Sequence, residues 1–183
     1  MKTTFRIAIA ALALGTALPA FAENPMVGGA AMYDTKNIVE NAVNSADHTT
    51  LVAAVKAAGL VDTLSGEGPF TVFAPTNEAF AKLPEGTVET LLKPENKDML
   101  TKILTCHVVA AKASSEMVKA MIQQDGGTHE IDTVGGCKLW AKSEGGKVMI
   151  GDEQGNWATV TIADVMQSNG VIHVIDTVLL PKM

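Results

Sequence analysis

A chain of 183 residues with a formal net charge of −6 has room for one domain with a sizeable core. Its acidic balance lacks the electrostatic footprint of nucleic-acid or anionic-membrane binding. The acidic residues are dispersed, as on a solvated surface, rather than gathered into a tail.

The first 22 residues carry Lys2 and Arg6, an apolar run from Ile7 to Leu18, and the small-x-small triplet Ala20-Phe21-Ala22. This is the pattern of a secretory signal peptide cleaved after Ala22, with an uncleaved anchor as the alternative. The run is too short to span a bilayer core of roughly 30 Å, and no other stretch is long and apolar enough. Cleavage leaves 161 residues with 12 basic and 20 acidic side chains, destined for a periplasmic or extracellular space. In such a compartment Cys106 and Cys137 are expected to pair, two buried thiols being the alternative. The bond closes a loop of about 31 residues, which on the chain-entropy account stabilises by roughly 3 to 4 kcal/mol.

Residues 23–36, with Pro25, Gly28 and Gly29, read as a flexible lead-in, and a single domain is expected over residues 37–182. Ile38, Val39, Ala42 and Val43 have helical spacing, as do Leu51, Val52, Val55 and Ala58 between an N-cap at Asp47 and a stop at Gly59. Gly66 to Pro69 is turn material, and Phe70 to Ala74 is a compact strand closed by Pro75. Thr76 then caps a helical turn holding Ala79 and Phe80. A short helix is predicted from Thr87 to Leu92 and a longer one from Pro94 to Thr105, with Met99, Leu100, Ile103 and Leu104 on its core face.

Cys106 to Val109 reads as a strand and Ser114 to Gln124 as a helix. Strands are then predicted at Ile131–Val134, Lys138–Ala141, Lys147–Ile150, Ala158–Val165 and Val171–Leu180, separated by Gly, Asn, Asp and Ser clusters. The last is apolar on both faces, Val171, His173, Ile175 and Leu179 alternating with Ile172, Val174, Val178 and Leu180, the mark of a strand buried on two sides. Helices thus crowd the first half and an antiparallel meander the second, which predicts an α+β domain.

Three stretches together resemble the fasciclin-like adhesion domain family. Thr71-Val72-Phe73-Ala74-Pro75-Thr76-Asn77-Glu78-Ala79-Phe80 is similar to its first signature box. Leu104-Thr105-Cys106-His107-Val108-Val109 stands in the place of its Tyr-His motif, and Asn169 to Pro181 is similar to its second box. The resemblance implies a fold of helices packed against a bent antiparallel or mixed β-sheet sandwich. It also implies structural roles for Thr71, Phe73, Pro75, Thr76, Asn169, Gly170, His173 and Asp176. Animal members engage cell-surface receptors and matrix proteins, and residues around the Tyr-His motif are implicated, which makes His107 a candidate binding residue. Cys106 stands where the family has tyrosine, which suggests that this chain uses the position for a disulfide instead. Asn96-Lys97-Asp98-Met99-Leu100 resembles an integrin-linked segment of animal members and adds Asn96 and Asp98; its alternative reading is an ordinary helix start.

Of the four histidines, His48, His107, His129 and His173, no two have the HxH or HxxxH spacing of a metal site. His173 within an apolar strand reads as a hydrogen-bonded core residue. In a strand, Cys106 and His107 point to opposite faces and form no dyad. Serine hydrolase, P-loop and dinucleotide motifs are missing, and Asp152 to Asn156 has hairpin-turn composition without the spacing of a calcium loop. Met117 and Met121, at i and i+4, read as core packing. Trp140 and Trp157 fall in the β-rich half, where packing and surface contact are both open. The expected function is an exported, monomeric, non-enzymatic adhesion module without cofactor or metal, contacting a protein or a surface or matrix component. The alternative is a periplasmic small-ligand or metal-handling protein with a pocket near His107 or His173.

Overall fold

The structure, a computed structural model, describes residues 24–182, so the signal-peptide reading of residues 1–22 lies outside the described residues. Strands β1 (Met26–Val27) and β2 (Ala30–Ala31) form a hairpin. Val27 and Met32 are buried in the main core, and the Gly28 carbonyl accepts a hydrogen bond from Ala46 N. The stretch read as a flexible lead-in is therefore folded onto the domain, because its few apolar side chains find partners beneath the first helices.

Helix α1 (Ile38–Ala42) begins at a capping box in which the Asn37 and Glu40 side chains each accept a hydrogen bond from the other's backbone N–H. Helix α2 (Thr49–Ala58) ends at Gly59 as expected, but Asp47 does not cap it. Asp47 lies in a 3-10 turn, Ala46–His48, and the Thr50 amide donates to Asn77 Oδ1 at 3.0 Å. A residue distant in sequence satisfies this helix start, and local pattern carries no sign of it. Helix α3 (Val61–Ser65), strand β3 (Phe70–Pro75), helix α4 (Asn77–Ala81, capped by Thr76) and helix α5 (Thr87–Leu91) follow.

The expected long helix is a 3-10 turn, Pro94–Asn96, leading into α6 (Lys97–Thr105). Leu100, Ile103 and Leu104 are buried, but Met99 overhangs the core edge and is 46% exposed. Cys106 is the cap of α6 rather than a strand residue, and strand β4 is only Val108–Val109. Helix α7 (Ser115–Gln124) is capped by Ser114 and leaves Met117 exposed, which corrects its reading as core. Strands β5 (Thr128–Asp132), β6 (Lys138–Glu144), β7 (Lys147–Gly151), β8 (Trp157–Gln167) and β9 (Gly170–Ile175) complete the chain.

The seven-stranded sheet has the order β4-β3-β9-β8-β7-β6-β5. The β5–β9 meander is antiparallel, while β3 lies parallel to β9 with Phe70 opposite Gly170 and Pro75 opposite Ile175. Two register shifts within β8 bend the sheet, one of them around Asp164, whose φ is +58°. Alternation along β3 and β9 then feeds two cores. Val72, Ala74, Ile172 and Val174 face the helices α1 to α6. Phe73 and Ile175 face Leu139, Ile150 and Ala158 of the folded-over half and Val118 and Ile122 of α7. This is the α+β, helix-on-bent-sheet arrangement expected. The last strand, however, stops at Ile175, and residues 176–182 continue as a non-strand strap with Val178 and Leu179 buried in the two cores.

Candidate functional site

The candidate residues fall into a buried group that fastens the fold and an exposed group at the start of α6. In the buried group, His107 follows the end of α6 and is 2% exposed. Its Nε2 accepts a hydrogen bond from Leu179 N at 2.9 Å, and its Nδ1 is 2.8 Å from the Ile103 carbonyl. The proton is thus on Nδ1, and the ring ties α6 to the strap. Burial pushes its pKa down to about 4, against smaller raising effects of the Ile103 carbonyl and Asp152. Both nitrogens are engaged, so His107 has no atom left for a partner, which corrects its reading as a binding residue. The neighbouring Cys106 is bonded to Cys137 with Cα atoms 5.4 Å apart, joining the end of α6 to the β5–β6 turn.

A second cluster gathers His173 on β9, Asp164 at the β8 bend and Ser115 of α7. His173 Nδ1 accepts from Asp164 N at 3.2 Å and Nε2 donates to the Ala113 carbonyl at 2.8 Å. The ring stacks on Phe73 with centroids 5.9 Å apart. The Asp164 carboxylate accepts from both the amide and the hydroxyl of Ser115. A serine relay needs the hydroxyl to donate to an imidazole whose other nitrogen donates to the carboxylate. Here serine donates to aspartate and histidine receives a main-chain N–H, so no proton path links hydroxyl to ring. Burial lowers the His173 pKa, opposed by the Ala113 carbonyl and Asp164.

The other box residues also bond inward. Asn169 Oδ1 accepts from Ile38 N at 3.0 Å, and Nδ2 donates to the carbonyls of Leu64 at 2.8 Å and Gly66 at 2.9 Å. One side chain thereby ties α1, the α3 end and the β8–β9 turn together. A Cβ at Gly170 would stand 2.1 Å from the Phe70 carbonyl oxygen, so the parallel pair needs glycine there. Thr71 Oγ1 donates to the Ala111 carbonyl and accepts from Ala113 N. Asp176 accepts from Thr159 N at 2.8 Å, holding β8 where β9 ends. Phe73 and Pro75 are buried in β3.

Beneath α1 and α2 lies an apolar cavity of about 50 Å³ that touches Val27, Leu51, Val72, His48 and His107. His48 Nδ1 is 2.8 Å from Ser45 Oγ, while Nε2 makes no bond within hydrogen-bonding geometry. Burial lowers its pKa, and the Ala74 carbonyl lies near enough to oppose the fall. A cavity of about 150 Å³ is what accommodates benzene, so this void is a packing gap rather than a chamber for an organic ligand. Among the described residues, no cluster of three or more His, Cys, Asp or Glu is placed to hold a metal ion.

The exposed group is the first turn of α6. Asn96 Nδ2 donates to the Thr90 carbonyl at 2.7 Å, which positions the turn. Asp98 and Met99 beside it face solvent.

A bent mixed sheet with helices α1 to α6 packed on one core and α7 on the other, most of its buried polar groups fastening remote segments, defines the class: a compact α+β domain. The chain belongs to the fasciclin family, whose Fasciclin domain model matches residues 46–181. It is 51% identical over its whole length to the whole of Protein sll1483 of Synechocystis sp.. It is 36% identical to the cell surface glycolipoprotein MPB83 of Mycobacterium bovis, over 87% of this chain and 68% of that protein. The solved FAS1 domain pair of the insect cell adhesion molecule Fasciclin I superposes with a TM-score of 0.71. That match has 20% identity and covers 79% of this chain and 51% of that one, a likeness of fold alone. Among the described residues no helix is long and apolar enough to cross a membrane.

Proposed function

We propose that this protein is an exported, non-enzymatic adhesion module that makes contacts at the cell surface or in the envelope. The observation that carries the reading is membership of the fasciclin family together with similarity to a cell surface glycolipoprotein. The signal-peptide pattern ending at Ala22 supports delivery to the periplasm or outside the cell. The partner is a protein or a surface or matrix component, approached as a monomer, and Asn96 and Asp98 at the start of α6 belong to the contact. The small-ligand or metal-handling alternative, with a pocket near His107 or His173, draws on a cavity of about 50 Å³ at His107 and one of about 10 Å³ at His173, volumes that speak against it.

A deletion strain is expected to lose attachment to surfaces or neighbouring cells and to regain it with the wild-type gene but not with Asp98→Ala. Asp98 is exposed, so the substitution leaves stability within about 0.5 kcal/mol and isolates the contact. Attachment unaltered by deletion would overturn the function, and full rescue by the variant would remove Asp98 from the contact.

A further inference from the structure

The solvent-facing side of the β-rich half carries a row of side chains that the fastening of the fold does not use. Cross-strand pairing sets Glu130 of β5 opposite Trp140 of β6, Trp140 opposite Gly151 of β7, and Gly151 opposite Trp157 of β8. One row across four strands thus holds both tryptophans of a chain that has 2. Leu139, Ala141, Ile150 and Ala158 are buried on the opposite face, which places the row outward.

Gly151 lets this row lie flat. A Cβ there would stand 3.0 Å from the Trp157 ring, whose benzo portion covers the glycine. The indole therefore lies down across β7 toward β6 and reaches Lys142, whose Nζ is 4.3 Å from the ring centroid. Trp157 remains 36% exposed and Trp140 half-buried. An aromatic side chain held flat on a sheet face, with its partner tryptophan two strands or about 10 Å away, is a stacking floor.

Charge narrows what stacks on it. Lys138 pairs with Glu130, and Lys142 pairs with Glu144 at 3.0 Å, so the charges along the row are mutually compensated. A cationic ligand would meet the Lys142 ammonium already at the ring. A nucleic acid would meet a chain of net charge −6. An uncharged sugar ring meets no charge repulsion and takes the indole face by displacing the Lys142 ammonium, its C–H groups carrying the partial positive charge that the negative face of an indole attracts. Its hydroxyls can bond to the carboxylates and ammonium groups of the rim.

We propose that the Trp140–Gly151–Trp157 row is a stacking platform for a neutral glycan, with Trp157 as the floor and Glu130, Lys138 and Glu144 as the hydrogen-bonding rim. The proposal rests on the interaction-module reading and names the chemistry of one partner. It is tested on purified mature protein, so its failure is distinct from a failure of the attachment assay.

Both tryptophans lie on the platform, so intrinsic emission reads the site directly. Titration with cellohexaose, chitohexaose and maltohexaose to about 10 mM, enough to fill a site with Kd on the order of 1 mM, is expected to give a saturable change with at least one. Trp157→Ala, with Trp140 still reporting, is expected to weaken binding about tenfold or more, and Trp157→Phe less. Trp140→Ala, read through Trp157, is the independent variant and is expected to weaken binding as well. No emission change with any of the three sugars would overturn the proposal, as would unchanged affinity in both alanine variants. Sedimentation showing that Trp157→Ala turns a dimer into a monomer would also overturn it, making the face a contact between copies.

Discussion

Acid is expected to loosen the C-terminal strap first, through His107. Three backbone donors of the strap go to side-chain acceptors: Leu179 N to His107 Nε2 at 2.9 Å, Leu180 N to Asp152 Oδ2 at 2.9 Å and Lys182 N to Glu153 Oε2 at 2.7 Å. Protonating Nε2 of His107 removes its acceptor and sets N–H against N–H. The folded pKa, about 4, lies below the ordinary histidine value of 6.5. The stability contributed by the neutral ring is therefore complete above about pH 6.5 and is lost as pH falls through that interval toward 4. At about 1.4 kcal/mol per pH unit the interval amounts to roughly 3 kcal/mol, a large part of a typical stability of about 5 to 15 kcal/mol. His48 and His173, whose pKa values are also lowered by burial, add in the same direction.

Comparison with His107→Gln isolates the residue, because the other titrating groups cancel in the difference. Glutamine can accept from Leu179 N but stays uncharged, and losing the Ile103 bond costs about 1 kcal/mol at pH 7. Urea unfolding at several values between pH 7 and 4 is expected to show the two stability curves crossing, the variant ending about 2 kcal/mol above wild type. Amide exchange is expected to rise first at Leu179 and Leu180 in the wild type. If wild type and variant lose stability in parallel over this range, the assignment of the acid response to His107 is wrong.

Two further outcomes follow from the fastenings. Replacing Cys106 and Cys137 together by serine frees a loop with a sequence separation of 31. The double variant is expected to lose about 3 to 4 kcal/mol in urea unfolding, and a loss below about 1 kcal/mol would contradict the constraint on the unfolded chain. Asn169→Ala removes partners from Ile38 N and from the Leu64 and Gly66 carbonyls, at an expected cost of about 2 to 4 kcal/mol. Asn169→Asp keeps the acceptor but loses both donor bonds, so it should be nearly as damaged. Preserved stability in the aspartate variant would show that the donor bonds carry little.

The two-faced apolar pattern of Val171 to Ile175 announced a strand buried on both sides, and the structure places the two faces in two different cores. The same pattern overran its end. Val178 and Leu179 are as apolar as the strand, but they are buried as a strap, because Leu179 N is taken by a ring and Leu180 N by a carboxylate rather than by a neighbouring strand. Met99 and Met117 fit helical stripes yet face solvent, since spacing identifies a face without showing how far the core beneath it extends. Trp140 and Trp157 are separated by 16 intervening residues, and only the β6–β7–β8 register puts them in one row.

Turn chemistry, helix caps written within four residues, strand alternation and the signature boxes were legible because each is a short-range preference of the backbone or of burial. The cap of α2 by Asn77, the insertion of β3 beside β9 in parallel, the commitment of His107 to the strap and the aromatic row across Gly151 depended on tertiary structure. Each joins residues remote in sequence, and which remote polar or apolar groups meet is decided by the packing of the whole chain. The local pattern of the chain determined that this is an α+β member of the fasciclin kind. The folded arrangement decided which of its side chains are consumed in holding it together and which remain free to meet a partner.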